Sequence, residues 1–355
     1  MVLLSGSTRA VKRLVRIPSD IMSQEIQPLT DRFGRIHTSL RISVTDRCNI
    51  RCFYCMPDEN IVFKPRSELL TYDEICRFVD AVSPAGISKL RLTGGEPLVR
   101  NDISELIKLL AERDGIDDLA LTTNGILLDQ FAEPLKRAGL DRINISLDTL
   151  DEEVFERITR RSGLDRVITG IEAAMDAGFT KIRLNAIAMK DLTEDQIVPL
   201  ANFAKERNLE LRFIEFMPLD AENAWNSDSV LSGKKIKATL EKELGNLRPV
   251  HGTDIHQPAV DYEFKNGGPR VGFINSVTEP FCDNCNRLRI TAEGQLRNCL
   301  FSTTEWDARK LLRGGAASED IVQLVRDCVA AKKPGHGIDT WEFQRPERAM
   351  YQIGG

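Results

Sequence analysis

The sequence predicts an α/β fold built around a parallel sheet. Three observations carry that reading: short strand-like runs recur between residues 40 and 217, helical apolar patterns separate them, and the least ordinary residues follow directly on the strands. Repeated βα units imply a parallel sheet, either closed or nearly closed as a barrel or opened as a doubly wound sheet. The third observation favours the barrel, because in that architecture the strand-to-helix loops all open on one face.

Taken in order, the first strand is Leu40–Val44, which runs straight into a cysteine-rich loop. Thr71 and Glu74 then read as a capping box opening a helix to about Val82, ended by Pro84 and Gly86. The second strand, Lys89–Thr93, delivers Gly94-Gly95-Glu96-Pro97. A helix with Ile103, Leu106, Ile107 and Leu110 on one face follows. Strands near Leu119–Thr123, Arg142–Leu147, Ile182–Met189 and Leu211–Phe216 continue the cycle. Their C-terminal ends bring Thr122-Thr123-Asn124-Gly125, Ser146 with Asp148, and Glu215 with Met217 toward the same mouth. After residue 218 the rhythm changes to a polar stretch, a helix near Lys234–Leu244 and a Gly-rich segment, which we read as a C-terminal extension facing that mouth.

The eight cysteines are clustered. Cys48, Cys52 and Cys55 share one short loop, and Cys282, Cys285 and Cys299 form a late group. Cys76 and Cys328 continue apolar helical patterns and read as small core residues. Clustered cysteines in a chain with no secretory signal point to metal more than to disulfides. A structural zinc takes four ligands, usually as two pairs, whereas three thiolates on one loop suit three irons of a cubane with the fourth left open. For the late group a zinc fragment completed by His251 or His256 stays open beside the cluster reading. The paired glycines at 94 and 95 either make an ordinary turn or let the backbone approach a ligand.

The three-cysteine loop, the Gly-Gly-Glu-Pro segment after the next strand and the βα alternation resemble the radical SAM superfamily. That resemblance implies a partial (β/α)6 barrel and a [4Fe-4S] cluster on Cys48, Cys52 and Cys55 whose open iron binds and cleaves S-adenosylmethionine (SAM). The late run Phe281-Cys-Asp-Asn-Cys285-Asn-Arg-Leu-Arg289 with Cys299 resembles, more narrowly, the GTP 3′,8-cyclase family of molybdenum-cofactor biosynthesis, over nearly the whole chain. It implies a second [4Fe-4S] cluster on Cys282, Cys285 and Cys299, with its open iron toward the purine of GTP.

By position, Tyr54, Gly95, Ser146 and Met217 resemble the family's SAM-binding residues. Arg41, Arg91, Thr122, Arg183 and the Arg287-Leu288-Arg289 run resemble its GTP-binding residues, Arg183 standing where many relatives use lysine, and Arg287 and Arg289 are its expected catalytic arginines. Arg212 joins them on a physical argument: a triphosphate needs several guanidinium groups, and arginines inside apolar strands are hard to explain as solvated charges. Each of these arginines has an alternative life in a structural ion pair. The resemblance implies that the SAM-derived 5′-deoxyadenosyl radical removes H3′ of GTP. Attack of C3′ on C8 then leaves an aminyl radical, which one electron and one proton quench to give 3′,8-cyclo-7,8-dihydro-GTP. The other readings are a peptide-modifying radical SAM enzyme with an auxiliary cluster and a non-catalytic metal-binding protein.

Charge and hydropathy exclude other classes. A net charge of −5 does not suit a whole-surface nucleic-acid binder, and no apolar run is long enough to cross a bilayer. Arg9, Lys12, Arg13 and Arg16 precede the first acidic residue, Asp20, a pattern shared by transit peptides and by disordered bacterial tails. We therefore expect a cytoplasmic protein, or a mitochondrial-matrix one if the basic segment is a transit peptide. The expected organisation is a basic flexible segment (1–32), a barrel (33–218), a second-cluster extension (219–340) and a tail (341–355) ending in Gly354-Gly355, which resembles a mobile glycine tail that enters the family's active site. The partners the resemblance implies are GTP, a downstream cyclic pyranopterin monophosphate synthase, an electron donor such as flavodoxin or ferredoxin, and a second copy in a homodimer, with neither nucleic acid nor membrane.

Overall fold

A computed structural model of the chain describes residues 27–56, 59–219, 225–338, 340–341 and 343–354. Most of the basic N-terminal segment and Gly355 lie outside that range. Six parallel strands form the barrel wall in sequence order: β1 (Ser39–Ser43), β2 (Lys89–Thr93), β3 (Asp118–Thr123), β4 (Arg142–Ser146), β5 (Ile182–Ala188) and β6 (Glu210–Glu215). Helices α1 (Tyr72–Val82), α2 (Ile103–Ala111), α3 (Leu128–Arg137), α4 (Glu152–Thr159), α5 (Leu164–Asp176) and α6 (Ile197–Glu206) connect them. The expected strands are all present, with ends within two residues of those read from the sequence.

Local chemistry explains the boundaries. Thr71 accepts from the Glu74 backbone N–H while Glu74 accepts from the Thr71 N–H, the reciprocal cap that starts α1. Asp151 caps α4 by accepting from Val154 at 2.9 Å. Strand alternation does the rest. Leu40, Ile42, Leu90, Leu92, Leu119, Leu121, Ile143, Ile145 and Leu184 are buried in the continuous apolar core, whereas Arg41, Arg91, Thr122, Asn144 and Arg183 line the barrel cavity.

The extension is not a separate body. Helix α7 (Gly233–Leu244) leads into β7 (Leu247–Pro249), β8 (Val260–Phe264) and β9 (Arg270–Ile274), and β9 pairs parallel to β6. Further on, β10 (Arg287–Ile290) pairs parallel to β1, followed by antiparallel β11 (Gln295–Arg297) and β12 (Trp306–Asp307). The sheet therefore runs β12-β11-β10-β1-β2-β3-β4-β5-β6-β9-β8-β7, with the late strands adding to both edges of the six-stranded wall. Its two ends do not pair among the described residues, so the barrel is open. The change at residue 218 is one of rhythm, not of sheet. Helices α8 (Ala308–Arg313) and α9 (Ser318–Ala330) pack on α1, with Arg77 of α1 donating to the Leu312 carbonyl, and the short α10 (Met350–Ile353) ends the chain. Among the described residues no helix is long and apolar enough to cross a membrane.

Candidate active site

The barrel opens on a cavity of about 280 Å³. All six clustered cysteines line it, with Tyr54, Gly95, Ser146, Met217, Thr122 and the arginines at 41, 91, 183, 212, 287 and 289. Leu288 is the exception. Strand alternation turns its side chain away from its two neighbours and into the core, where it is buried, and it does not line the cavity. Cys76 and Cys328 are buried core residues, as expected. His251 and His256 do not line the cavity; His256 instead meets the Asn284 carbonyl at 2.9 Å, and neither completes a metal site.

The first cysteine loop is fixed on two sides. Its backbone pairs with the end of α4 through Arg51 N–H to Thr159 O (2.8 Å) and Phe53 N–H to Ile158 O (3.0 Å). On the other side Gly95 N–H donates to Thr45 O and Glu96 N–H to Arg47 O. A Cβ on Gly94 would lie 2.3 Å from Thr45 O, and one on Gly95 2.3 Å from Arg47 O. The paired glycines are thus required first by the close approach of two loops, a reason the sequence alone did not separate from ligand approach. Glu96 is buried beneath them, accepting from Thr123 Oγ1, Asn124 N–H and Leu98 N–H, and burial pushes its carboxyl up to about 7.

Tyr54 is held as firmly. Its hydroxyl donates to Asp148 Oδ2 at 2.6 Å, and its ring meets Phe53 and Phe216 edge to face. Asp148 also accepts from Ile187 N–H, and burial pushes its carboxyl up to about 6. The side chain at 148, carried by the loop after β4, therefore sets the orientation of the ring beside Cys55.

The cations divide into two kinds. Arg183 forms an ion pair with Glu210 at 2.6 Å, and Arg212 contacts Asp261 and donates to Gln257 at 2.9 Å, so both have partners that fix them in place. Arg41 and Arg91 lie opposite each other in the β1–β2 register and have no ion-pair or hydrogen-bond partner among the described residues. Burial and then neighbouring guanidinium groups hold both well below the usual arginine range. Arg287 stacks on Phe281 with its guanidinium 4.7 Å from the ring centroid and reaches Cys285 Sγ at 3.4 Å. Arg289, opposite Arg41 in register, donates to the Gly354 carbonyl, and burial followed by Arg287 lowers it to about 9. Thr122 Oγ1 is buried without a hydrogen-bond partner. Clustered, desolvated positive charge of this kind calls for an anion.

Comparison with known proteins agrees with this geometry. Residues 42–204 match the Radical SAM superfamily and residues 209–338 match Molybdenum Cofactor Synthesis C. A GTP 3′,8-cyclase of Rhodopirellula baltica is 51% identical over 330 residues, covering 92% of each chain. Its counterpart in Streptomyces coelicolor is 43% identical, covering 92% of this chain and 96% of that one. The chain belongs to the GTP 3′,8-cyclase family. In fold it is similar to Streptococcus suis SuiB bound to its precursor peptide, with a TM-score of 0.60 at 17% identity over 79% of this chain and 65% of that one. The chain thus spans just under two thirds of SuiB, and the likeness shows the fold alone.

Membership of the GTP 3′,8-cyclase family implies SAM and two [4Fe-4S] clusters, and the residues present fit them. Among the described residues no three His, Cys, Asp or Glu side chains converge where one metal ion could sit. What fits is the donor set: Cys48, Cys52 and Cys55, and Cys282, Cys285 and Cys299, two groups of three thiols, all line the one cavity. Burial pushes Cys48 up to about 11 and raises Cys52 and Cys55 as well, so metal binding would have to displace their protons. At the second group burial also raises Cys285, but Arg287 and Lys332 outweigh it and bring the thiol down to about 6.

Several cavity residues carried no local sequence signal: Asn144, Asn185, Asn298, Tyr351 and His336, whose ring meets Ser276 O at 2.9 Å and whose backbone N–H donates to the Cys282 thiol. Gly354 sits with φ +79°, and a Cβ there would lie 2.7 Å from Thr93 Cγ2, so the tail does enter the barrel mouth and only glycine fits at that point.

Proposed function

We propose that the protein is a GTP 3′,8-cyclase of molybdenum-cofactor biosynthesis, converting GTP to 3′,8-cyclo-7,8-dihydro-GTP. The observation that carries this is the convergence of two three-cysteine groups and a set of unpaired guanidinium groups on one cavity. When bound, the first cluster and SAM supply the radical that removes H3′ of GTP.

The chain's own residues hold, orient and exclude. Cys48, Cys52 and Cys55 would hold the first cluster, and Cys282, Cys285 and Cys299 the second. Tyr54, locked by Asp148, offers a flat apolar face for the adenine of SAM. Gly95, Ser146 and Met217 complete that side of the cavity. Arg41, Arg91, Arg183, Arg212, Arg287 and Arg289 offer the positive charge a triphosphate needs, and Thr122 an unused hydroxyl. Since Glu210 and Asp261 already fix Arg183 and Arg212, little side-chain entropy is lost when those two engage. The mouth tail and the late strands restrict water at the reacting carbon.

A downstream cyclic pyranopterin monophosphate synthase, a flavodoxin- or ferredoxin-type donor, a homodimer and a cytoplasmic setting belong to the same proposal and rest on the family resemblance. The test is anaerobic: protein reconstituted with iron and sulfide, then given SAM, a reductant and GTP, releases 5′-deoxyadenosine with a cyclised GTP product. Absence of GTP-dependent turnover with about eight irons per chain would end the cyclase reading and leave the radical SAM one standing.

A further inference from the structure

Two buried cations that the proposed reaction does not use lie behind the second cysteine group. Lys332, just after α9, is 3% exposed. Its Nζ donates to the carbonyl of Arg287 at 3.0 Å and to the carbonyl of Asn298. Arg287 follows Cys285 closely and Asn298 immediately precedes Cys299, so one ammonium ties together the arms that carry these two cysteines. Arg35, from the segment before β1, holds the third arm: it donates to Cys282 O at 2.8 Å, to Pro334 O at 3.0 Å and to Lys333 O at 2.8 Å. Through the consecutive residues 332–334 the two ties are continuous.

The charges of the two are not alike. Arg35 is matched by Asp31, with Nε to Oδ2 at 2.6 Å. Lys332 touches carbonyl oxygens and forms no ion pair with a carboxylate among the described residues. A buried ammonium without a counter-charge is costly, and such groups persist where something negative completes them. Three thiolates on an iron-sulfur cubane carry a net negative charge, and the ammonium is bonded to the arms that hold two of them.

We propose that Lys332 is the counter-ion of the second cluster and, with Arg35, the tie that holds its three cysteine arms in place. Both are positioning residues, acting through Cys282, Cys285 and Cys299. The inference rests on the two-cluster reading of the proposed function.

The test uses the full chain with Cys48, Cys52 and Cys55 replaced by alanine, so that only the second cluster remains. In that parent, Lys332→Met loses iron to a chelator about 10-fold faster, and its cluster has a more negative midpoint potential because a positive charge has gone. Lys332→Arg restores the parental potential. Arg35→Gln also speeds iron loss, and because it leaves the Asp31 carboxylate uncompensated only iron retention is read from it. Thermal unfolding followed by circular dichroism confirms that each variant folds. If Lys332→Met does not fold, Lys332→Gln, which keeps a donor for the carbonyls and lacks the charge, decides on the same potential. A Lys332→Met or Lys332→Gln potential equal to the parent's overturns the counter-ion role, and unchanged iron retention in both Lys332→Met and Arg35→Gln overturns the tie. A parent that binds no iron overturns the two-cluster reading and this inference with it, whereas an iron-loaded parent with unmoved variants overturns the inference alone.

Discussion

Replacing Arg91 by methionine should weaken GTP binding and, in the absence of GTP, stabilise the protein. Arg91 lies opposite Arg41 on the neighbouring strand, and neither has a carboxylate or hydrogen-bond partner among the described residues. Burial, and then Arg41, hold Arg91 well below the usual arginine range. Folding therefore draws a charged group out of water and places it beside a like charge, a penalty the unfolded chain does not carry. Methionine has a similar reach and no charge, so the GTP-free variant gains melting temperature. With GTP the sign reverses. A hydrogen bond between ionised partners contributes about 1.5–3 kcal/mol, which corresponds to a loss of about 10- to 150-fold in affinity. Anaerobic calorimetric titration with GTP and thermal unfolding with and without GTP measure both halves. A parental Kd, or a lower melting temperature for GTP-free Arg91→Met, would refute the reading of these strand arginines as an anion site held open at the expense of stability.

Cys48→Ala should abolish SAM cleavage and leave GTP binding intact, while Cys299→Ala should weaken GTP binding more than SAM binding; equal loss of both ligands in both variants would mean that the two groups are not functionally divided. Gly95→Ala places a Cβ 2.3 Å from Arg47 O, so the cysteine loop must shift and 5′-deoxyadenosine release should fall with GTP binding retained; a fully active variant would sink the close-approach argument. His37 tests the pH dependence of stability: burial, with the Lys332 charge adding to it, lowers its imidazole to about 4 from 6.5. The folded protein keeps it neutral where the unfolded chain takes up a proton, so stability falls as the pH drops from 6.5 toward 4, by about 3 kcal/mol over the window. His37→Gln should flatten that part of the curve in urea unfolding between pH 7 and 4.5, and parallel curves for the two proteins would contradict it.

What could be read from the sequence was what is local. The capping box at Thr71 and Glu74, the six strands and the cysteine spacings depend on residues within a turn or two of one another, and the structure has each of them. Arginines inside apolar strands could be picked out because period-two alternation gives them one direction to face, and the same alternation, applied to Leu288, should have excluded its side chain. The glycines at 94 and 95 could be recognised as unusual but not explained. The 2.3 Å that their missing Cβ atoms leave to Thr45 and Arg47 is a property of two loops more than forty residues apart.

What was hidden is pairing at a distance. That β10 joins β1, placing Arg289 opposite Arg41, depends on a parallel register between segments about 250 residues apart, and no pattern within either segment encodes it. The same holds for Asp148 under Tyr54, Arg35 behind Cys282 and His336 beside the same cysteine. The tail makes the point most directly. Tyr351 donates its backbone N–H to the Cys55 thiol, while three residues later Arg289 donates to the carbonyl of Gly354. One short segment thus touches a cysteine of the first group and an arginine two strand positions from the β10 end that follows the second. Because β10 pairs with β1, the edge strand of the six-stranded wall, the late segment completes the site by extending the sheet that built the first half. This explains why the two cysteine groups, far apart in sequence, face one cavity.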